Sequence, residues 1–182
     1  MLFRSGASGA VLSTQPVVAI RDAQGNTVTG DSSTQVTVSI LSGAGGTLGG
    51  TTTVTASSGV ATFTNVTLSG VVGTNYVLRF AASGLSSADS GNVTVSSGTA
   101  TQLGIATQPV GGASGAVLST QPVVAIRDAQ GNTVTGDSST QVTVSILSGA
   151  GGTLGGTTTV TASSGVVTFT NVTLSGVVGT NY

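Results

Sequence analysis

The chain has 182 residues, a formal charge of −1, four Arg, five Asp and no Cys, His, Trp, Lys or Glu. Acid–base and covalent catalysis, and zinc or other transition-metal ligation, lose their usual donors without imidazole, thiolate or ammonium groups. With no basic cluster, the counterion release that drives nucleic-acid binding has no source either, so neither an enzyme nor a nucleic-acid partner is expected, and no catalytic, cofactor-binding or metal-ligating residue is assigned.

The chain opens with "MLFR" and passes directly into "SGASGA" instead of a continuous apolar stretch, so no secretory leader is read there. Further on, Gly, Ser or Thr interrupts each apolar run well short of the ~18 residues a membrane-spanning helix needs. No membrane contact is expected within this segment. Abundant Val and Thr at low net charge favour packed strands over disorder.

Alternation of apolar and polar residues then predicts strands in sequence. They are "PVVAIRD" (16–22), "QVTVSI" (35–40), "TTTVTA" (51–56), "GVATFTNVTL" (59–68), "YVLRFA" (76–81), "GNVTV" (91–95) and "QLGIATQ" (102–108). In 76–81, Tyr76, Leu78 and Phe80 share the inner face and Arg79 points to solvent. In 59–68 the alternation changes phase between Phe63 and Val66, which predicts a bulge or bend near Asn65. The Gly-rich "SGAGGTLGG" (42–50) reads as a turn. No helix-period segment of useful length occurs, and about seven short strands per hundred residues predict an all-β fold of antiparallel sandwiches of immunoglobulin type.

Between the first two strands stands "RDAQGNTVTGD" (21–31), repeated letter for letter at 127–137; the two copies hold six of the nine charged residues. The simpler reading is a polar turn, with Gly25 free to take a positive φ and Asp22 accepting from nearby amides. The alternative is a calcium site built on Asp22 and Asp31. A hard cation wants about six to eight oxygens, and two carboxylates nine residues apart with no Glu are a poor start. Tyr76 and Tyr182 fall where sandwich domains place a tyrosine corner. "NVT" at 65–67, 92–94 and 171–173 fits the glycosylation sequon, but chance matches are expected in a Thr-rich chain, and all three are read as strand residues.

The strongest signal is internal repetition. Residues 5–76 recur at 111–182 with 70 of 72 positions identical, the exceptions being Ser5 against Gly111 and Ala61 against Val167. A period of 106 suits a complete small domain and not a solenoid rung. The repeats are cut out of phase, which predicts residues 1–97 as a repeat lacking its first strand, 98–100 as a linker and 101–182 as a repeat lacking its last two strands. Strands 76–97 occur once and two nearly identical partners could claim them. They are expected to stay with the first repeat, leaving the second marginal.

"VVAIRDAQGNTVTG", then "GTLGGTTTVTASSGVATFTNVTL", then "GTNYVLRFAASG" resembles the bacterial immunoglobulin-like repeats of invasin- and intimin-type proteins and very large surface adhesins. The resemblance implies tandem sandwiches in a longer extracellular or surface-anchored chain, with neighbouring repeats as partners. The role expected from it is a structural spacer, since such repeats mostly hold another domain at a distance. The rivals are a binding module for glycan or host protein, and self-association through open strand edges.

Overall fold

The computed structural model describes residues 6–182, so the leader reading of "MLFR" and the Ser5 difference lie outside the described residues. The chain divides into two compact units, Met1–Gly98 and Thr99–Tyr182. Described residues form only strands, turns and loops, and no helix is long and apolar enough to cross a membrane.

Unit 1 contains β1 (Gly6–Ala7), β2 (Val17–Ala19), β3 (Gln35–Ser42), β4 (Thr47–Gly49), β5 (Thr53–Thr55), β6 (Val60–Thr62), β7 (Thr67–Ser69), β8 (Tyr76–Ala81), β9 (Ala88–Val93) and β10 (Val95–Ser96). Its largest sheet runs β5-β3-β8-β9, and β2 pairs with β6, β4 with β7 and β1 with β10. All of these pairings are antiparallel except β1–β10, which is parallel. Strands 76–81 therefore stay with the first unit: Val38 lies opposite Phe80 and Ile40 opposite Leu78, while Ser39 faces Arg79 on the outer surface.

The register explains the packing. Opposed residues project to one face of a sheet, so Val36, Val38, Leu78 and Phe80 meet on the inner side. Leu12, Ala61, Phe63, Val66, Leu68, Tyr76, Val93 and Val95 join them in one buried cluster. The rings of Phe63 and Phe80 lie 5.7 Å apart at 59°, a tilted contact that suits two aromatic quadrupoles. On the outer face Arg79 grips Asp89 with two hydrogen bonds of 2.8 Å, and Thr37 bonds Thr53 across the strands at 2.9 Å.

Of the bulge or bend expected near Asn65, the structure has the bend, at Thr64. The stretch 59–68 breaks into β6, which pairs with β2, and β7, which pairs with β4, so the chain changes sheets between them. Phe63 and Val66 both remain buried because each faces the same core from a different sheet. Asn65, in the gap, accepts the Thr51 N–H at 2.8 Å. Gln15 replaces a strand at the crossing: its carboxamide accepts the Val66 N–H at 2.8 Å and donates to the Val66 carbonyl at 3.1 Å.

Unit 2 contains β11 (Gln102–Thr107), β12 (Val123–Arg127), β13 (Gln141–Thr143), β14 (Thr153–Gly155), β15 (Thr159–Thr161), β16 (Val166–Thr168) and β17 (Thr173–Ser175). Its sheets are β11-β12-β16, β13-β15 and β14-β17, all antiparallel. Here Ile126, Val142, Ala162, Val167, Phe169 and Val172 form the buried cluster. Ala61 and Val167, the one internal difference among described residues, are both fully buried, so this position accepts the larger side chain.

The two units give nearly one sequence two different settings. Unit 2 holds no counterpart of β8 and β9 among the described residues. Consequently β13 extends for three residues where β3 runs for eight. Leu147 is fully exposed, and Leu118, Val144, Leu174 and Tyr182 are less buried than their counterparts Leu12, Val38, Leu68 and Tyr76.

Candidate functional site

The turn at 21–31 is built from its own backbone. Asp22 N–H donates to the Asn26 carbonyl at 2.9 Å, and Gly25 N–H to the Asp22 carbonyl at 3.0 Å. Gly25 carries φ 86° as the turn requires. Asp22 Oδ1 accepts from the N–H groups of Gln24 at 3.0 Å and Asn26 at 2.8 Å, and Oδ2 accepts from Asn26 Nδ2 at 3.1 Å. The Asn26 side chain first, and then its backbone N–H, hold the Asp22 carboxyl below its ordinary range.

Asp31 closes a second turn in the same manner. Oδ1 accepts from the N–H groups of Ser33 and Thr34, both at 3.0 Å, and Oδ2 accepts from the Thr34 hydroxyl at 2.6 Å. The Thr34 hydroxyl is the leading cause of its lowered pKa. The Asp31 carbonyl also takes the Gly59 N–H at 2.6 Å, tying this loop to the turn before β6.

Unit 2 reproduces both arrangements. Asp128 accepts from Gln130, Asn132 N–H and Asn132 Nδ2 at 2.9–3.0 Å, and Asp137 accepts from Ser139, Thr140 N–H and the Thr140 hydroxyl. Each carboxylate thus spends its oxygens on donors of its own loop. No group of three His, Cys, Asp or Glu converges among the described residues.

Tyr76 is fully buried. Its hydroxyl accepts the Val71 N–H at 2.8 Å and donates to the Ala44 carbonyl at 3.2 Å. The ring fits among three glycines: a Cβ on Gly43, Gly46 or Gly70 would overlap it. Gly43 also has φ 111°, a conformation that other residues rarely take. The Gly-rich stretch 42–50 is therefore more than a turn, since it contains β4 and wraps the ring. Tyr182 sits in the matching cage of Gly149, Gly152 and Gly176, accepting the Val177 N–H at 2.7 Å.

Of the three sequons, only Asn92 stands on a strand, within β9; Asn65 and Asn171 lie in the gaps where the chain changes sheets. Their carboxamide oxygens accept the N–H groups of Thr51 and Thr157. Sequence reasoning missed Gln15 and its counterpart Gln121, whose partners lie 51 residues away, a separation that leaves no local signal.

Comparison with known proteins adds no relative: no family model, curated protein or solved structure matches the chain.

Proposed function

We propose that the chain is a pair of immunoglobulin-like sandwich repeats that serve as a structural spacer, without catalysis, in a secreted or surface-anchored bacterial protein of adhesin type. The carrying observation is that a sequence repeated at a period of 106 residues accompanies two compact units, each with a buried core of its own. A spacer needs units that fold independently and surfaces that need recognise nothing. Charge is almost absent, and the carboxylates of the repeated turns are engaged within their own loops. Neighbouring repeats are the partners this reading calls for.

Glycan recognition is less well supported, because it favours exposed aromatic platforms. Phe63, Phe80, Phe169 and Tyr76 are buried. Small-angle scattering on arrays of increasing repeat number tests the spacer reading. With strands of seven to ten residues, each repeat should add roughly 25–35 Å to the maximum dimension. A dimension that fails to grow with repeat number, or binding of a whole repeat to a glycan array, would overturn it.

A further inference from the structure

Among the described residues, β1 and β10 form the one parallel strand pair, with Gly6 opposite Val95 and Ala7 opposite Ser96. That direction decides how the pair meets tension. The chain enters β1 at the end where β10 begins, and it leaves β10 at the end where β1 turns away through Ala7–Ala10. Tension applied before Gly6 and after Ser96 therefore draws the two strands past each other along their own axes. Hydrogen bonds of a parallel ladder are evenly spaced and run from strand to strand, so in this geometry they carry the load together. Strands pulled apart from a single end lose the same bonds one at a time.

The bonds of the pair are short and both strands are rooted in the core. Ser8 N–H donates to the Ser96 carbonyl at 2.9 Å. A strand residue aims its N–H and carbonyl to the same side, so the Ser96 N–H faces Gly6, whose carbonyl also lies 3.5 Å from the Ser96 hydroxyl. Behind β1, the buried Ser8 hydroxyl donates to the Gly70 carbonyl at 3.0 Å and accepts the Gly70 N–H at 2.8 Å. Gly9 N–H then donates to the Leu68 carbonyl and Leu12 N–H to the Val66 carbonyl. On the other strand Val93 and Val95 are buried in the core cluster, Val93 opposite Tyr76. Neither strand can slide without dragging buried groups with it.

We propose that the β1–β10 pair is a load-bearing clamp, which makes unit 1 resist tension along the two strands more strongly than tension that peels the same strands apart. This adds a mechanical function to the spacer reading. It rests on that reading only for the source of the tension, an array pulled from its ends.

The test is constant-force optical tweezers on the full chain, which has no Cys of its own and so accepts thiol handles at chosen places. One geometry pulls between the N terminus and Thr99→Cys, loading β1 against β10 lengthwise. The other pulls between Ala10→Cys and Thr99→Cys, two exposed positions that follow the same end of the pair. Unit 1 should open at least about tenfold more slowly in the first geometry at equal force, the factor that two hydrogen bonds acting together supply. Ser96→Pro, which strips the Ser96 N–H, should bring that slow opening close to the peeling rate. Equal opening rates in the two geometries, or a Ser96→Pro chain that opens as slowly as its parent in the first, would overturn the proposal. The comparison of geometries leaves the pair itself unchanged, so it is decisive even where Ser96→Pro weakens unit 1 as a whole. Direction-independent opening would remove the clamp and leave the spacer standing, whereas arrays that fail to lengthen in scattering would remove the spacer and leave the clamp.

Discussion

Gln15 closes a two-way hydrogen bond with the backbone of Val66, accepting its N–H at 2.8 Å and donating to its carbonyl at 3.1 Å. Val66 is fully buried at the point where the chain leaves one sheet for another. Gln15→Ala takes the acceptor from the buried Val66 N–H, while the carbonyl keeps the Leu12 N–H at 2.9 Å, and the expected loss is about 1–3 kcal/mol. Urea unfolding of the full chain, read at the Val36 and Val38 amides, checks it. A loss below about 0.5 kcal/mol, the range of ordinary surface substitutions, would show that water or a shifted backbone satisfies Val66 equally well.

The glycine cage around Tyr76 makes a steric prediction. Gly46→Ala places a methyl group into the ring, and overpacking of this kind costs about 1–3 kcal/mol. Tyr76→Phe keeps the ring but strips the Val71 N–H of its acceptor, for about 1 kcal/mol. The same changes at Gly152 and Tyr182 should cost less, because Tyr182 is only half-buried and can move aside. Thermal unfolding of the four variants measures the contrast. Equal effects in the two units would mean that burial of the ring is not what sets the penalty.

Acid should weaken the fold through its turns. Asp22, Asp31 and Asp137 are held below the usual value of 3.8 by hydrogen bonds from their own loops, and Asp89 by Arg79. A carboxyl whose folded pKa is depressed contributes stability that is fully present above the unfolded value. That contribution is lost as pH falls through the folded value. With no His, Lys, Cys or Glu in the chain, the melting temperature should stay nearly level from about pH 5 to 8 and fall below about pH 4. Calorimetry across that range checks the profile, and a midpoint that rises on acidification would reverse the sign.

How much of this was legible depended on how local each cause was. The stretch 76–81 alternates strictly and forms a strand with those bounds, because Leu78 and Phe80 meet Ile40 and Val38 on β3 and Tyr76 meets Val93 on β9. The stretch 16–22 alternates less clearly, and its strand in unit 1 covers only Val17–Ala19; in unit 2, with β11 alongside, the same sequence reaches Arg127. Pairing partners, not propensity, set that length. Thr47–Gly49 hid inside a Gly-rich run, where composition signalled only a turn. The ten short segments of unit 1, against the six expected within residues 1–97, arise from this strand, the sheet change at Asn65, the break between β9 and β10, and the two-residue β1. The parallel pairing of β1 with β10 joins residues almost ninety positions apart and has no sequence pattern. The Asp–Gly–Asn turn was readable because its donors and acceptors lie within a few residues of one another.

The central claim is that each unit stands on its own core and that strands 76–96 complete only the first. Residue-resolved hydrogen exchange in the full chain tests it most directly, since the compared segments have identical sequence and hence identical intrinsic rates. Slower exchange at Val38–Ile40 than at Val144–Ile146, with Leu78–Phe80 opening together with the former, is the predicted result. Equal protection of both segments, or β8 amides that open with the second unit, would contradict it.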